Sequence, residues 1–359
     1  ILFLLYKKPS GVWIMAFTDI DDPTIFFNTV LYTGNASTRS ITGVGFQPDW
    51  IWIKVRNYDN GHQLFDVVRG VTKRLQTNNT SAEATRSSSI TSFDSDGFSM
   101  GADAQINDSA SYTYSSWNWK AGGSASSNSG GSITSSVSAN TTSGVSIVSY
   151  TGAGGSSNVG HGLGVAPNWI IAKNKDSSSL SWFVSNDVIG WTKRLKLEDT
   201  QSSATNSAFG DTNPDSTKFY LSGNNLNTSG EDHIAYCFAQ KQGFSKFGKY
   251  IGNGNADGTF VFCGFKPAWV MIKPLATASW RIWDNKREDY DGNPNQTTFN
   301  ANEDAVEYDN SSVAIDFLSN GFKARSSNSD ISGSGVEYNF FAFAEKPFVN
   351  SKGIPNDAK

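Results

Sequence analysis

Hydrophobic and polar positions alternate along this chain in short runs, and one such run is written three times. It reads Gly45-Phe-Gln-Pro-Asp-Trp-Ile-Trp-Ile-Lys54, Gly164-Val-Ala-Pro-Asn-Trp-Ile-Ile-Ala-Lys173 and Gly264-Phe-Lys-Pro-Ala-Trp-Val-Met-Ile-Lys273. Gly45, Gly164 and Gly264, Pro48, Pro167 and Pro267, Trp50, Trp169 and Trp269, and Lys54, Lys173 and Lys273 hold the same places in each copy. Glycine supplies a backbone position free to take positive φ. Proline fixes φ and has no N–H for a ladder, which suits the entry of a strand and not its middle. The large and β-branched residues that follow predict a strand. A tryptophan recurring in register is expected in the core of each module.

Other signals recur around that run. Tyr32-Thr-Gly34, Tyr150-Thr-Gly152 and Tyr250-Ile-Gly252 precede the tryptophan by 18, 19 and 19 residues and close an earlier strand. After it come Leu64-Phe-Asp66, Ser181-Trp-Phe183 and Ile282-Trp-Asp284, then Thr-Lys-Arg-Leu at 72–75 and 192–195. Asp96-Gly-Phe98 and Asn320-Gly-Phe322 announce a further strand, for which the middle copy has Lys218-Phe-Tyr-Leu221. Each copy closes on alternating aromatics, Trp117-Asn-Trp119, Tyr236-Cys-Phe238 and Phe341-Ala-Phe343. That period of two predicts one row inward and the small or polar row outward.

The reading is all-β, with three related repeats as tandem β-sandwich modules of jelly-roll or concanavalin-like type, each roughly 90–100 residues, one sandwich in size. The modules are 29–123, 145–243 and 244–348. Before them, 1–28 form an N-terminal segment that would serve as an attachment or assembly arm. Residues 124–144 are a Ser/Gly-rich connection whose composition, from Ala121 to Gly131, predicts a flexible linker. The tail 349–359 is expected on the surface or at a subunit contact. Val67–Gln76 is the best helical candidate, one turn or two at most. The apolar run of Ile1-Leu-Phe-Leu-Leu-Tyr-Lys-Lys8 is too short for a membrane span, and its lysines follow it where a signal peptide would place them first. Met15-Ala-Phe-Thr18 resembles a natural start.

Composition agrees with many short strands joined by polar turns. Aromatic residues make up 13% and charged residues only 17% of the 359 residues, whereas helices would draw on Ala, Leu, Glu and Lys. A net charge of −4 without a basic run lacks the electrostatic footprint of nucleic-acid binding. Cys237 and Cys263, each inside a strand-like run, are expected as reduced core thiols, with a single disulfide between them as the alternative.

Chemistry is sparse. His62, His161 and His233 stand in unrelated contexts, and the Gly-rich pieces 152–155 and 160–164 precede a strand rather than the helix N-terminus that a phosphate cradle needs. Neither a catalytic set, nor a cofactor, nor a metal is assigned. Asp94 and Asp96, and Asp289 and Asp291, alternate ahead of a glycine as in Ca²⁺ loops, but without the bidentate Glu of an EF-hand, and a hairpin turn explains them better. Among aromatics that would stack on a sugar, Trp52, Trp191 and Trp280 are the candidates, because they are not shared by all three copies.

Taken together, these residues resemble a repeated domain of unknown function found in virion structural proteins of marine and cyanobacterial tailed phages. The resemblance rests on Tyr32–Asn35 and Tyr250–Asn253, on the Gly-Phe-x-Pro-x-Trp strand, and on Trp117-Asn-Trp-Lys-Ala-Gly-Gly123. Ser319-Asn-Gly-Phe322, Phe341-Ala-Phe-Ala-Glu-Lys-Pro-Phe348 and Gly353-Ile-Pro355 extend it to the end. The second copy departs at Gly164-Val-Ala-Pro167, and the third lacks Thr-Lys-Arg-Leu. The resemblance implies a non-enzymatic structural protein on the virion exterior, a tail-fibre or appendage component contacting the host surface. Its partners would be other virion proteins, further copies of itself as a homo-oligomer, and a host surface glycan or protein, with no nucleic acid and no membrane insertion. A capsid decoration or cement protein is the alternative. A tail-borne polysaccharide depolymerase is less favoured, since long β-helix repeats and a distinct acid pair are missing.

Overall fold

The strand signals produce strands. A computed structural model describes residues 5–7, 13–15, 18–287 and 292–356, and among these there are β-strands, three single-turn 3₁₀ segments and no α-helix. A sheet of six strands runs, in spatial order, Phe27–Thr33, Thr113–Trp119, Trp50–Val55, Gln63–Asp66, Lys73–Gln76 and Ala84–Thr85. The same succession recurs as Ser245–Ile251, Glu337–Pro347, Phe265–Pro274, Arg281–Asp284, Thr297–Asn300 and Tyr308–Asp309. Between them in sequence lies Val145–Thr151, Asp232–Phe238, Trp169–Asn174, Phe183–Asn186, Lys193–Lys196 and Ala204–Thr205, extended to eight strands by Ser126–Asn128 and Ser135–Asn140. All the strand pairings in these sheets are antiparallel. A small sheet of two or three strands covers one face of each large sheet.

Both faces of each large sheet are buried, and this corrects the expected inward–outward division. On the central strands, Ile51, Ile53, Ile170, Ala172, Cys237, Val270, Ile272 and Ala342 face the cores between large and small sheets. The aromatic rows face the other way. Trp50, Trp52, Trp117, Trp119, Trp169, Tyr236, Phe238, Trp269, Phe341 and Phe343 belong to one cluster drawn from all three modules. The repeated tryptophan is therefore not the centre of its own sandwich. It is the surface by which sandwiches pack on each other: Trp50 lies 4.2 Å from Trp119 in its own module and 5.0 Å from Tyr236 in the next. Sheets covered on both sides read as near-continuous hydrophobic runs rather than alternating ones, as Trp50–Val55 does.

The repeated tyrosine fixes each sandwich internally. Tyr32, Tyr150 and Tyr250 are buried, and their hydroxyls donate to the carbonyls of Ile106, Leu226 and Ile331 at 2.8, 2.8 and 2.7 Å. The repeated glycines take positive φ, 86° at Gly45, 72° at Gly164 and 80° at Gly264, as their place before the proline demands.

Two local expectations fail. The flexible linker expected from Ala121 to Gly131 contains the strand Ser126–Asn128, which with Ser135–Asn140 extends the second large sheet, Ser126 lying opposite Val137 and Ser135 opposite Tyr150. Its small residues serve close backbone approach: a Cβ on Gly131 would lie 2.5 Å from the Asn158 carbonyl oxygen. The composition of a linker and that of a tightly apposed edge are the same. The helical candidate at Val67–Gln76 is a turn followed by the strand Lys73–Gln76, with Asp66 Oδ1 accepting from the backbone N–H groups of Val68 and Arg69.

At the N-terminus, Leu5–Lys7 pairs with Trp13–Met15. From Thr18 on, the segment expected as an arm lies against the body: Thr18 Oγ1 donates to Gln242 O at 2.9 Å, and Ile20 is buried in the shared cluster. The tail folds back so that Ser351 N donates to Asp21 Oδ1 at 2.6 Å.

Candidate functional site

The most developed polar constellation lies where the modules meet. Strand register makes His62, Trp182 and Trp280 equivalent, each two positions before Leu64, Val184 and Ile282. Trp182 Nε1 donates to Gln76 O at 2.8 Å, Trp280 Nε1 to Lys196 O at 2.8 Å, and His62 Nε2 lies 3.1 Å from Asn300 O. The second module thus bonds the first, the third bonds the second, and the first bonds the third. Backbone bonds repeat the cycle, from Glu83 N to Lys175 O, from Ser203 N to Leu275 O and from Glu307 N to Arg56 O. The three sandwiches close into a ring.

A second set of equivalent positions decides the charge inside that ring. Asp66, Asn186 and Asp284 each pair with the module's repeated tryptophan. Asp66 and Asp284 form fully buried ion pairs with Arg69 and Arg287, and each also accepts from the neighbouring module, from Tyr236 OH at 2.7 Å and Trp117 Nε1 at 2.9 Å. In the second module, the residue three beyond Asn186 is Ile189, and the ring in the place of Tyr236 and Trp117 is Phe341. Acid, base and ring donor are lost together, and from the third module Asn186 Oδ1 accepts only from Asn339 Nδ2, at 3.5 Å. That coordination is what the cost of an unpaired buried charge requires.

Lys54, Lys173 and Lys273 end the same row and are fully buried. Their ammonium groups cap the turn that follows: Lys54 donates to Val55 O at 2.8 Å, Lys173 to Asn174 O at 2.7 Å and Ser177 O at 2.8 Å, and Lys273 to Pro274 O at 2.8 Å and Ala276 O at 3.0 Å. Burial lowers their pKa values to about 7, about 8 and about 8. Above these values the unfolded chain binds more protons than the folded one, up to the ordinary lysine value, so stability rises with pH in that window. Burial also holds Tyr150, Tyr236 and Tyr250 well above the usual phenol range, which removes stability once the unfolded phenols ionise. Melting temperatures measured from about pH 7.5 to about pH 9.5 should rise and then fall beyond about pH 10. A steady fall across the first interval would count against three buried ammonium groups.

The residues expected to meet a ligand are inside the protein. Trp52, Trp191 and Trp280 are buried, and their indoles donate to His62 Nδ1 at 2.8 Å, Asp187 Oδ1 at 3.0 Å and Lys196 O. They differ between modules because their packing partners differ, which sequence comparison of the copies could not separate from a ligand role. Asp94 accepts from the hydroxyls of Ser92 and Ser99 and so braces its hairpin from within, whereas Asp96 accepts from the N–H groups of Gly43 and Gly45 and ties the hairpin to its neighbour. Asp289 and Asp291 lie outside the described residues, and no cluster of three metal-ligating residues occurs among the described ones. His161 and His233 are buried and bonded to the carbonyls of Asp215 and Glu231. Cys237 and Cys263 are free, buried thiols in the sandwich cores of the second and third modules.

A family model described as a domain of unknown function, DUF7483, matches residues 22–347. The chain belongs to the DUF7483 family. The match runs from the edge of the first 3₁₀ turn to the last residue of the final strand, so this DUF7483 unit takes in the whole ring, with the two added strands, and not a single sandwich. No curated protein matches the chain, and no solved structure does.

Among the described residues, the exterior of the DUF7483 ring includes two polar clefts and an apolar patch. A cleft of about 460 Å³ between the first and second modules is lined by Gln47, Asp49, Lys120, Gly123 and Asn140. Asp49 is already bonded there by Ala121 N at 2.8 Å, Gly123 N at 3.0 Å and Gln47 Nε2 at 2.9 Å, so it closes the end of the sandwich. A second cleft of about 540 Å³ lies where the termini meet, among Asp22, Lys286, Lys346 and Ile354. The patch is Phe260 and Phe262, 42% and 58% exposed on an edge strand of the third small sheet. The equivalent positions are Ser40 and Thr42 in the first module, and Asn158 and Gly160 in the second. Alternation in Phe260-Val-Phe262, with the middle residue inward, was the signal available in the sequence.

Proposed function

We propose that this DUF7483 protein is a non-enzymatic structural component of a tailed-phage virion, part of a tail fibre or appendage that contacts the host surface. The observation that carries the reading is the use made of the residues on which the resemblance rests. Trp50, Trp169 and Trp269 join the modules, Tyr32 and Tyr250 lock their sandwiches, and Trp117 ties the first module to the third. What the family pattern contributes in this chain is architecture rather than chemistry. A ring with a common aromatic interior is a rigid platform, and its Ser/Thr/Asn-rich loops are the parts left to vary and to touch a glycan or a protein.

Electron microscopy of purified virions labelled with an antibody against this chain tests the reading. Label at fibre or tail extremities, with binding to host cells and no glycan hydrolysis by the purified protein, is the expected result. Label over the head would replace it with a capsid decoration role, and hydrolysis of host polysaccharide would replace it with a depolymerase. Absence of label on intact, permeabilised and disrupted particles would overturn the virion assignment altogether.

A further inference from the structure

We propose that the junction between the first and third modules is an acid-labile seam in the ring, released when His62 takes up a second proton. The first–second and second–third junctions join consecutive modules, so the chain itself holds them together. The first–third junction is closed by side-chain and backbone contacts alone. At that junction the position filled elsewhere by an indole, Trp182 or Trp280, is filled by an imidazole.

His62 is fully buried and both of its ring nitrogens are committed. Nδ1 accepts the Trp52 indole N–H at 2.8 Å, so the ring proton sits on Nε2 and points to Asn300 O at 3.1 Å. A second proton would have to enter at Nδ1, directly against the indole donor. The aromatic faces that would welcome a cation are also taken. His62 stands 6.0 Å from Phe299 and 6.3 Å from Trp117, while Arg287 lies 4.3 Å above Phe299 and 5.9 Å from Trp117, and Lys54 lies 5.2 Å above Phe299. Imidazolium would be a third cation in one aromatic box. Burial, and after it the Lys54 charge, hold the imidazole well below its ordinary range. The charges that act on it are the cations Lys54 and Arg287, of which Arg287 is paired with Asp284 at 2.6 Å; Asp59, Asp304 and Glu307 face Lys54, and Glu303 accepts from the Asn300 side chain. Glu307 is bound to Arg56 at 2.8 Å and faces Arg287 at 3.7 Å.

The other two modules show what removes the sensitivity. Where the first module has Trp52 and His62, the second has Ile171 and Trp182 and the third Met271 and Trp280 at the equivalent positions. The bulk is exchanged between the two positions, and the titratable group goes with it. Once the seam is open, His62 titrates as a free imidazole, so the open fraction grows about tenfold for each pH unit below about 6.5.

Hydrogen exchange of the full chain at about pH 7 and about pH 4.5, corrected for the intrinsic rate at each pH, reads this directly. The seam amides of Asn60 and Glu307, bonded to Asp304 O and Arg56 O, are expected to lose protection by on the order of 100-fold. Their counterparts at the other junctions, Glu83, Ser203 and Ala278, are expected to keep theirs. In His62→Gln, and in the double variant Trp52→Met with His62→Trp, the seam amides should stay protected at the lower pH. Equal loss at all three junctions, or none at the seam, overturns the proposal. So does a His62→Gln protein whose seam loosens as the wild type does, which would assign the effect to the carboxylates of Asp59, Glu303, Asp304 and Glu307. Should the double variant not fold, His62→Gln and the wild-type comparison decide the matter.

Discussion

Asp66→Ala is expected to lower the stability of the whole chain by about 3–5 kcal/mol, the usual cost of removing one partner from a buried ion pair. The carboxylate receives Arg69 Nε at 2.5 Å, Tyr236 OH at 2.7 Å and the backbone N–H groups of Val68 and Arg69. Its loss leaves the guanidinium, fully shielded from water, with Glu83 at 3.2 Å as its remaining carboxylate and takes the acceptor from a phenol of the neighbouring module. The second module shows the remedy, since it replaces all three members at once. The triple variant Asp66→Asn, Arg69→Ile, Tyr236→Phe should therefore recover most of the loss, because apolar replacement of a buried pair is often neutral or stabilising. Denaturant titrations of the two proteins make the comparison. A single variant costing under about 1 kcal/mol, or a triple variant no better than the single, would mean that the pair is not buried as described.

Trp50→Ala should cost about 3–5 kcal/mol and leave one cooperative unfolding transition. The indole touches Trp119 within its module and Tyr236 and Phe238 in the next, at ring separations of 4.2, 5.0 and 5.4 Å. Removing it opens a cavity in the cluster that all three modules share, so each module loses support together. Ile51→Val on the opposite face of the same strand enters only the first sandwich core and should cost about 0.5–1.5 kcal/mol. Calorimetry separates the outcomes. Two transitions in Trp50→Ala, with the second and third modules melting as in the wild type, would show three independent sandwiches and no common core.

Much of this molecule was legible along the chain because strands are local. Pro48-Asp-Trp-Ile-Trp-Ile53 has the residue types of a strand entry and a buried strand, and Gly45 sits where a positive φ is needed. The junction chemistry was less legible for a definite reason. Leu64-Phe-Asp66 and Ile282-Trp-Asp284 align with Ser181-Trp-Phe183 by aromatic content, yet register places Asn186, three residues past Phe183, opposite Trp169. With the copies matched by register, Asp66/Arg69, Asn186/Ile189 and Asp284/Arg287 reveal a charge pair gained or lost as a unit. Ser126–Asn128 reads as linker although it is strand, because small polar residues are as suited to an apposed sheet edge as to a loose linker.

The all-β class, the recurring strand signals, the turn glycines and the buried thiols follow from the chain read locally, since each depends on propensity or pattern within a few residues. Where the aromatic rows point is set by the packing of one module on another. A period of two says that Trp50, Trp52 and Lys54 share a face, and it is silent on what that face meets. Here it meets two other sandwiches, so tryptophans that resemble binding residues are interior, lysines that resemble surface residues cap buried turns, and a lone histidine occupies the junction that closes the ring.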